Sequence, residues 1–342
     1  MFCFRCIKIR EIEVIFLVIK CNVYRGKEIE SVHQVYGVVV DSKGEILFSS
    51  GDPHYKTCIR SSLKPFQASV CVETGAADAF GFNDKELAVI CASHNGEKIH
   101  TSTISGILEK IDIDPSYYKC GVHSPYDKKT KITILRDGKD FNSLHNNCSG
   151  KHAGMLATAK HLGCDLNEYL QFQHPVQQKI VSALEQYTEQ SGFVFGTDGC
   201  SAPTPFLSLY GIAILYQKLA SGNYPVLSRL YDAMVTHPYL VAGRERFDTD
   251  FMEAMSGRAV TKVGGEGVRG LGIRQKNGNV IGIALKVLDG NQRANPVATM
   301  LLLGQLKLLT ENESQKLEKY EKTKLLNHRK IHVGNITAEF ED

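Results

Sequence analysis

Two arms, Gly267-Val-Arg-Gly-Leu-Gly-Ile-Arg274 and Val280-Ile-Gly-Ile-Ala-Leu-Lys-Val287, flank Asn277-Gly278. Alternating or β-branched residues on both sides of an Asn-Gly pair predict a β-hairpin, because these two residues suit the turn that matches the twist of a strand pair. Val35 to Ser49 predicts a second hairpin, turning at Asp41-Ser-Lys-Gly44. Elsewhere the apolar spacing is helical, at Gly150 to Leu162, Pro175 to Tyr187, Pro205 to Leu219, Pro225 to Val235 and Pro296 to Leu309. Several of these begin with proline, which suits a first helical position. Strands near both chain ends enclosing a helical middle predict an α+β fold, with the terminal strands building one antiparallel sheet.

A chain of 342 residues suits one or two lobes. Apolar residues make up 43% and charged residues 23%, with Lys+Arg 40 against Asp+Glu 37. A net charge of +3 is too even to indicate a nucleic-acid or membrane partner. The apolar run Val14-Ile-Phe-Leu-Val-Ile19 is far shorter than the roughly 20 residues of a membrane span. It is followed by no small-residue cleavage site, so a cytoplasmic, reducing compartment is expected. The ten cysteines are therefore expected to be thiols. Cys3-Phe-Arg-Cys6 has redox or metal spacing but no second pair to complete it.

Arg60-Ser-Ser-Leu-Lys-Pro-Phe-Gln67 places Ser61 three residues before Lys64. On the first turn of a helix this spacing brings hydroxyl and amine to one face. Pro65 fits a helix start, where the helix dipole favours an alkoxide. A neutral lysine can take the proton of the serine. Lysine ordinarily titrates near 10.4, so neutrality at pH 7 needs a fall of roughly 3 pH units, or about 4 kcal/mol. Burial and a second cation are the means. Alone, the motif reads better as a capping serine and a solvated lysine. Ser93-His94-Asn95 after the apolar Leu87 to Ala92, and Lys262-Val263-Gly264 before the second hairpin, change that reading. The order Ser-x-x-Lys, Ser-x-Asn, Lys-x-Gly is that of penicillin-interacting serine enzymes, at different spacings. Lys262 is then a candidate to depress Lys64, and Ser93 a candidate proton relay.

Asn146-Asn147-Cys148-Ser149-Gly150-Lys151-His152 and Asp198-Gly199-Cys200-Ser201-Ala202-Pro203 each precede a predicted helix. Two thiols with Lys151 or His152 make a plausible zinc set, and ligand chemistry alone favours His152. Two buried thiols and a helix start are the plainer alternative.

Taken together, Arg60 to Gln67, Cys91-Ala-Ser-His-Asn-Gly-Glu97, Asn147 to His152, Asp198 to Thr204 and Lys262-Val-Gly-Gly-Glu-Gly267 resemble the Rhizobium-type L-asparaginase family. Tyr24-Arg-Gly26, Glu30-Ser-Val-His33, Val241-Ala-Gly-Arg244, Asp289-Gly290 and Val333-Gly334 fit the same pattern. The resemblance implies a fold similar to serine β-lactamases and glutaminases and the hydrolysis of L-asparagine to L-aspartate and ammonia. It implies Ser61 as nucleophile with Lys64 as its base, and Ser93 with Lys262 as a second pair. It assigns a zinc ion to Cys148, Lys151 and Cys200, against the chemical preference for His152. His152, Asn147 and Asp198 then line the substrate pocket, and Arg60 meets the substrate carboxylate or is structural. Residues 1–21 fall outside the resemblance as an extension, 22–337 form the catalytic domain and 338–342 a short tail. Thr310 to Lys324 matches weakly.

The implied chemistry is acyl transfer, with backbone N–H groups near Ser61 stabilising the oxyanion. Glutamine differs from asparagine by one methylene, worth about 1–3 kcal/mol, so a glutaminase is a close alternative. A zinc-stabilised amino-acid-binding protein is the alternative of another class. A homodimer is expected on general grounds.

Overall fold

The computed structural model describes residues 17–341, so Cys3, Cys6 and Val14 to Phe16 lie outside the described residues. The strands are β1 (Val18–Arg25), β2 (Glu28–Val40), β3 (Ile46–Ser50), β4 (Lys56–Cys58), β5 (Phe195–Thr197), β6 (Pro203–Ser208), β7 (Ala259–Val263), β8 (Val268–Arg274), β9 (Val280–Val287), β10 (Thr323–Leu326) and β11 (His332–Glu341). Eight of them form one sheet in the order β10-β11-β1-β2-β9-β8-β7, with β3 also on β2. Every pairing in it is antiparallel, and the helices lie mainly in the chain between β4 and β7. This is the α+β arrangement read from the sequence.

Both hairpins form where expected. Gly278 takes φ +85° between β8 and β9, and Gly44 takes φ +83° between β2 and β3, conformations that a Cβ would strain. The division at residue 21, however, falls inside β1. Ile19 and Cys21 alternate into the core and pair with Phe340 and Ala338 of β11, so the sheet takes in residues from both supposed terminal pieces. Pro205, expected at a helix start, lies in a strand instead. Pro203–Ser208 is β6, and the helix starts only at Leu209, after the Ser208 hydroxyl accepts the Gly211 N–H. The capping serine, and not the proline, marks that helix start. The other helices run Ser149–His161, Pro175–Thr188, Pro225–Thr236 and Asn295–Gln305, within a few residues of their expected bounds.

Glycines set how closely the layers approach. The helix Leu209–Ser221 lies on β8 and β9 where Gly270, Gly272 and Gly282 leave space. A Cβ at Gly282 would stand 2.1 Å from the Ala213 carbonyl oxygen, and one at Gly270 would meet the Tyr216 ring. Tyr216, fully buried there, donates its hydroxyl proton to the Ser62 carbonyl at 2.8 Å. Close helix–sheet contact thus anchors the turn that carries Ser61.

A buried ion pair ties the β7 edge to two helices. Arg269 of β8 donates to Asp248 at 2.6 Å, to Thr261 of β7 at 2.8 Å and to Asn295 at 2.5 Å. Its guanidinium also lies 4.4 Å from the Phe247 ring centroid. Asp248, on the helix Phe247–Met255, accepts the Val263 N–H at 2.9 Å and so holds the residue after Lys262.

Three outcomes follow for stability, read by urea unfolding. Gly282→Ala should lose about 1–3 kcal/mol by overpacking. Gly304→Ala, in a helix with open space around it, should gain roughly 0.5–1 kcal/mol. Asp248→Asn, which leaves Arg269 without its anion, should cost about 3–5 kcal/mol at neutral pH. Burial opposes ionisation of Asp248, but Arg269 and Lys262 hold its carboxyl below the usual value. Its stabilisation is therefore complete above the unfolded value of about 3.9 and is lost as pH falls through the lower folded value. The variant should lack that part of the acid limb.

Candidate active site

Seven of the residues singled out in the sequence, Arg60, Ser61, Ser93, Asn147, Cys148, Asp198 and Cys200, line one cleft of about 1020 Å³. Ser61 lies in a single 3-10 turn, Arg60–Leu63, that leads directly into the helix Lys64–Glu73 with Pro65 in its first turn. Arg60 takes φ +53°, a strained value for a residue with a side chain. A Cβ on Gly265 would come 3.0 Å from the Arg60 guanidinium, so the Lys262-Val-Gly-Gly segment needs its glycines to pass this turn.

Ser93 is where the lysines converge. Lys64 Nζ donates to Ser93 Oγ at 2.9 Å, and Lys262 Nζ donates to the same oxygen at 2.8 Å. Lys64 also reaches the Ala92 carbonyl at 2.6 Å and the carbonyl and side-chain oxygens of Asn147 at 3.1 and 3.3 Å. Lys262 has one other acceptor, the Val263 carbonyl at 2.8 Å. Both amines are buried. Burial depresses both; Lys262 is lowered well below its ordinary value, with Asp248 opposing and Lys64 assisting. Sequence spacing brings Ser61 and Lys64 together, yet among the described residues no hydrogen bond joins them. The amine turns inward to Ser93 because carbonyl acceptors are there.

Ser93 follows the helix Asp84–Ile90 on an extended segment that pairs with Val241-Ala-Gly-Arg244. Ser93 N–H donates to the Val241 carbonyl at 3.0 Å and Asn95 N–H to the Ala242 carbonyl at 2.8 Å. His94 is structural. Its Nδ1 accepts the Gly96 N–H, its Nε2 meets Ser149 Oγ at 3.0 Å, and burial keeps it neutral.

The thiol pair forms the adjoining wall. Lys151 Nζ lies 2.9 Å from Cys200 Sγ. A hydrogen bond from Cys200 holds the Cys148 thiol well below its usual range, against burial and helped by Lys64 and Lys151. Two sulfurs and an amine nitrogen drawn together suit the coordination chemistry of zinc. Among the described residues no three His, Cys, Asp or Glu side chains group as a metal site, so His152 does not complete a set with the thiols. Nor does His152 line the cleft. It is buried behind it, with Nδ1 on the Tyr169 hydroxyl at 2.7 Å, Nε2 lacking a partner, and its pKa pushed down to about 4 by burial and Lys151. Asp198 lines the cleft as expected but accepts from Arg60 Nε at 2.5 Å. Burial opposes its ionisation, while Lys151 and Arg60 hold it below the usual carboxylate value.

Several lining residues escaped the sequence reading. His123 and Tyr126 stack at 4.9 Å, and both bond Asn147, whose oxygens receive Lys64. Arg246, Asp248, Arg269 and Gln292 also line the cleft. The only signal for them was Val241 to Arg244, which stops two residues before Arg246.

All eight described cysteines are free thiols, and no described helix is long and apolar enough to cross a membrane. No curated protein matches the chain. Among solved structures, Mglu in its native form in the presence of 4.3M NaCl is 13% identical with a TM-score of 0.35, over 80% of this chain and 61% of that one. A second native Mglu structure is 10% identical with a TM-score of 0.36, over 80% of this chain and 64% of that one. The chain therefore spans less than two thirds of the length of these two Mglu chains. A family model described as L-asparaginase II matches residues 21–338, which carry every cleft residue named above, and the chain belongs to the L-asparaginase II family.

Proposed function

We propose that this chain hydrolyses L-asparagine to L-aspartate and ammonia through a serine-bound acyl intermediate. The observation that carries the reading is the meeting of Lys64 and Lys262 on Ser93 in the cleft that also exposes Ser61. Two buried amines on one oxygen disfavour double protonation, which supplies a neutral lysine as base. Ser61 attacks the side-chain amide carbon and gives its proton to Lys64 as Lys64 passes one of its own through Ser93 to the neutral Lys262. Ser93 links that amine to Lys262, so one proton is shared along the 2.9 and 2.8 Å contacts. The C–N bond breaks, the proton leaves with ammonia, and water then cleaves the seryl ester to release aspartate. The helix start beside Ser61 favours the negative charge that develops on the attacked oxygen.

A second assignment of the nucleophile has its own support. Ser93 is the serine whose hydroxyl touches an amine among the described residues, and apo enzymes hold catalytic contacts loosely as often as not. In that version Ser93 gives its proton directly to Lys262, and Lys64 stabilises the oxygen.

Cys148, Cys200 and Lys151 would hold a zinc ion, which would supply Lewis-acid chemistry toward a substrate group. Asp198 and Asn147 face the same space and orient the substrate, with Arg60 fixing Asp198. A cytoplasmic homodimer belongs to this reading on general grounds.

Ammonia release from L-asparagine and L-glutamine by the wild type, Ser61→Ala and Ser93→Ala tests it. Release from asparagine is expected, falling by at least about 10³-fold in the variant that lacks the nucleophile. Peptide mapping of acid-quenched enzyme should place an aspartyl adduct on Ser61, whereas an adduct on Ser93 transfers the role. Full activity in both variants contradicts the serine scheme.

A further inference from the structure

Four arginines line the cleft: Arg60, Arg244, Arg246 and Arg269. Three already face carboxylates. Arg60 pairs with Asp198, Arg244 with Glu97 and Asp127, and Arg269 with Asp248. Arg246 has no carboxylate within salt-bridge distance among the described residues. Its NH1 donates to Asn95 Oδ1 at 2.9 Å, and the Tyr126 ring centroid lies 6.0 Å from its Cζ. One edge and one face of the guanidinium are thus held, and its other nitrogens make no hydrogen bond among the described residues. Asn95 is itself fixed by donating to the Arg244 carbonyl at 2.9 Å and stands two residues after Ser93. A positioned guanidinium with unused N–H groups in the cleft that also holds Ser61 and Ser93 suits a bidentate carboxylate.

We propose that Arg246 holds the α-carboxylate of the substrate, which limits the cleft to free α-amino acids that carry a side-chain amide. This rests on the asparaginase reading. It moves the carboxylate contact away from Arg60, whose charge Asp198 already neutralises. Lys128 and Lys129 also line the cleft but are exposed at its rim, on a helix with no buried residue. With the carboxylate held at a fixed point, side-chain length decides whether the amide carbon reaches the serine. That makes Arg246 a specificity residue as well as an anchor.

The test compares wild type, Arg246→Lys and Arg246→Gln on L-asparagine and on β-alaninamide, which is asparagine without its α-carboxylate. Arg246→Gln should raise KM for L-asparagine at least about 10-fold with kcat little changed. Arg246→Lys should fall between, since it keeps the charge but not the fork. All three proteins should share one kcat/KM on β-alaninamide. Inhibition by L-aspartate should weaken in the variants, and inhibition by β-alanine should not. An unchanged KM for L-asparagine, or equal losses on both amides, overturns the assignment while leaving the hydrolase reading intact. If the wild type releases no ammonia from L-asparagine, the hydrolase reading fails and calorimetry with L-aspartate decides. Binding abolished by Arg246→Gln supports the carboxylate site, and binding that is absent or unaffected overturns it.

Discussion

Two lysine amines within 3 Å of one buried serine oxygen are the constraint on which the rest of this molecule depends. Like charges a few ångströms apart cost about 4 kcal/mol even at an effective dielectric of 20, before the cost of burying them. The hydrogen bonds indicate how the cost is avoided. Lys64 has four acceptors within reach, enough for the three N–H groups of an ammonium. Lys262 has two, which matches the two N–H groups of a neutral amine and leaves a lone pair. On the proposed reading, one proton for two lysines makes the pair a base.

Much of the fold serves to hold that pair. Lys262 sits on β7, whose edge is fixed by the buried Arg269–Asp248 contact and by the Asp248 bond to the next backbone N–H. Lys64 begins a helix whose entry turn is tied to the sheet by Ser62, which donates to the Lys262 carbonyl at 2.9 Å and accepts from Tyr216. Tyr216 reaches that position because glycines on β8 and β9 let its helix approach. The chain from small residues in a hairpin to the placement of an amine is continuous.

The hairpins were legible because Asn277-Gly278 and Asp41 to Gly44 act locally. Pro205 shows the limit of a local signal: proline, which has no N–H to donate, suits a strand position where none is required as well as a helix start. At the site, Ser61, Lys64, Ser93 and Lys262 could be grouped by motif order, but their partners could not. Spacing put Lys64 beside Ser61, whereas tertiary acceptors on Ala92, Ser93 and Asn147 drew it elsewhere. Arg246 had no motif, since its meaning lies in the absence of a carboxylate that only the folded chain reveals. His152 looked like a ligand or a substrate contact by its place in sequence, and its helix turns it behind the thiols instead.

The most direct measurement is an NMR titration of the Lys262 side-chain nitrogen, assigned with Lys262→Met. The shared-proton account predicts that this amine is neutral at pH 7 to 8 and gains its proton only well below the ordinary lysine value of about 10.4. Titration of both this amine and Lys64 at that ordinary value would mean that both are charged in the resting protein, and the base proposed here would not exist.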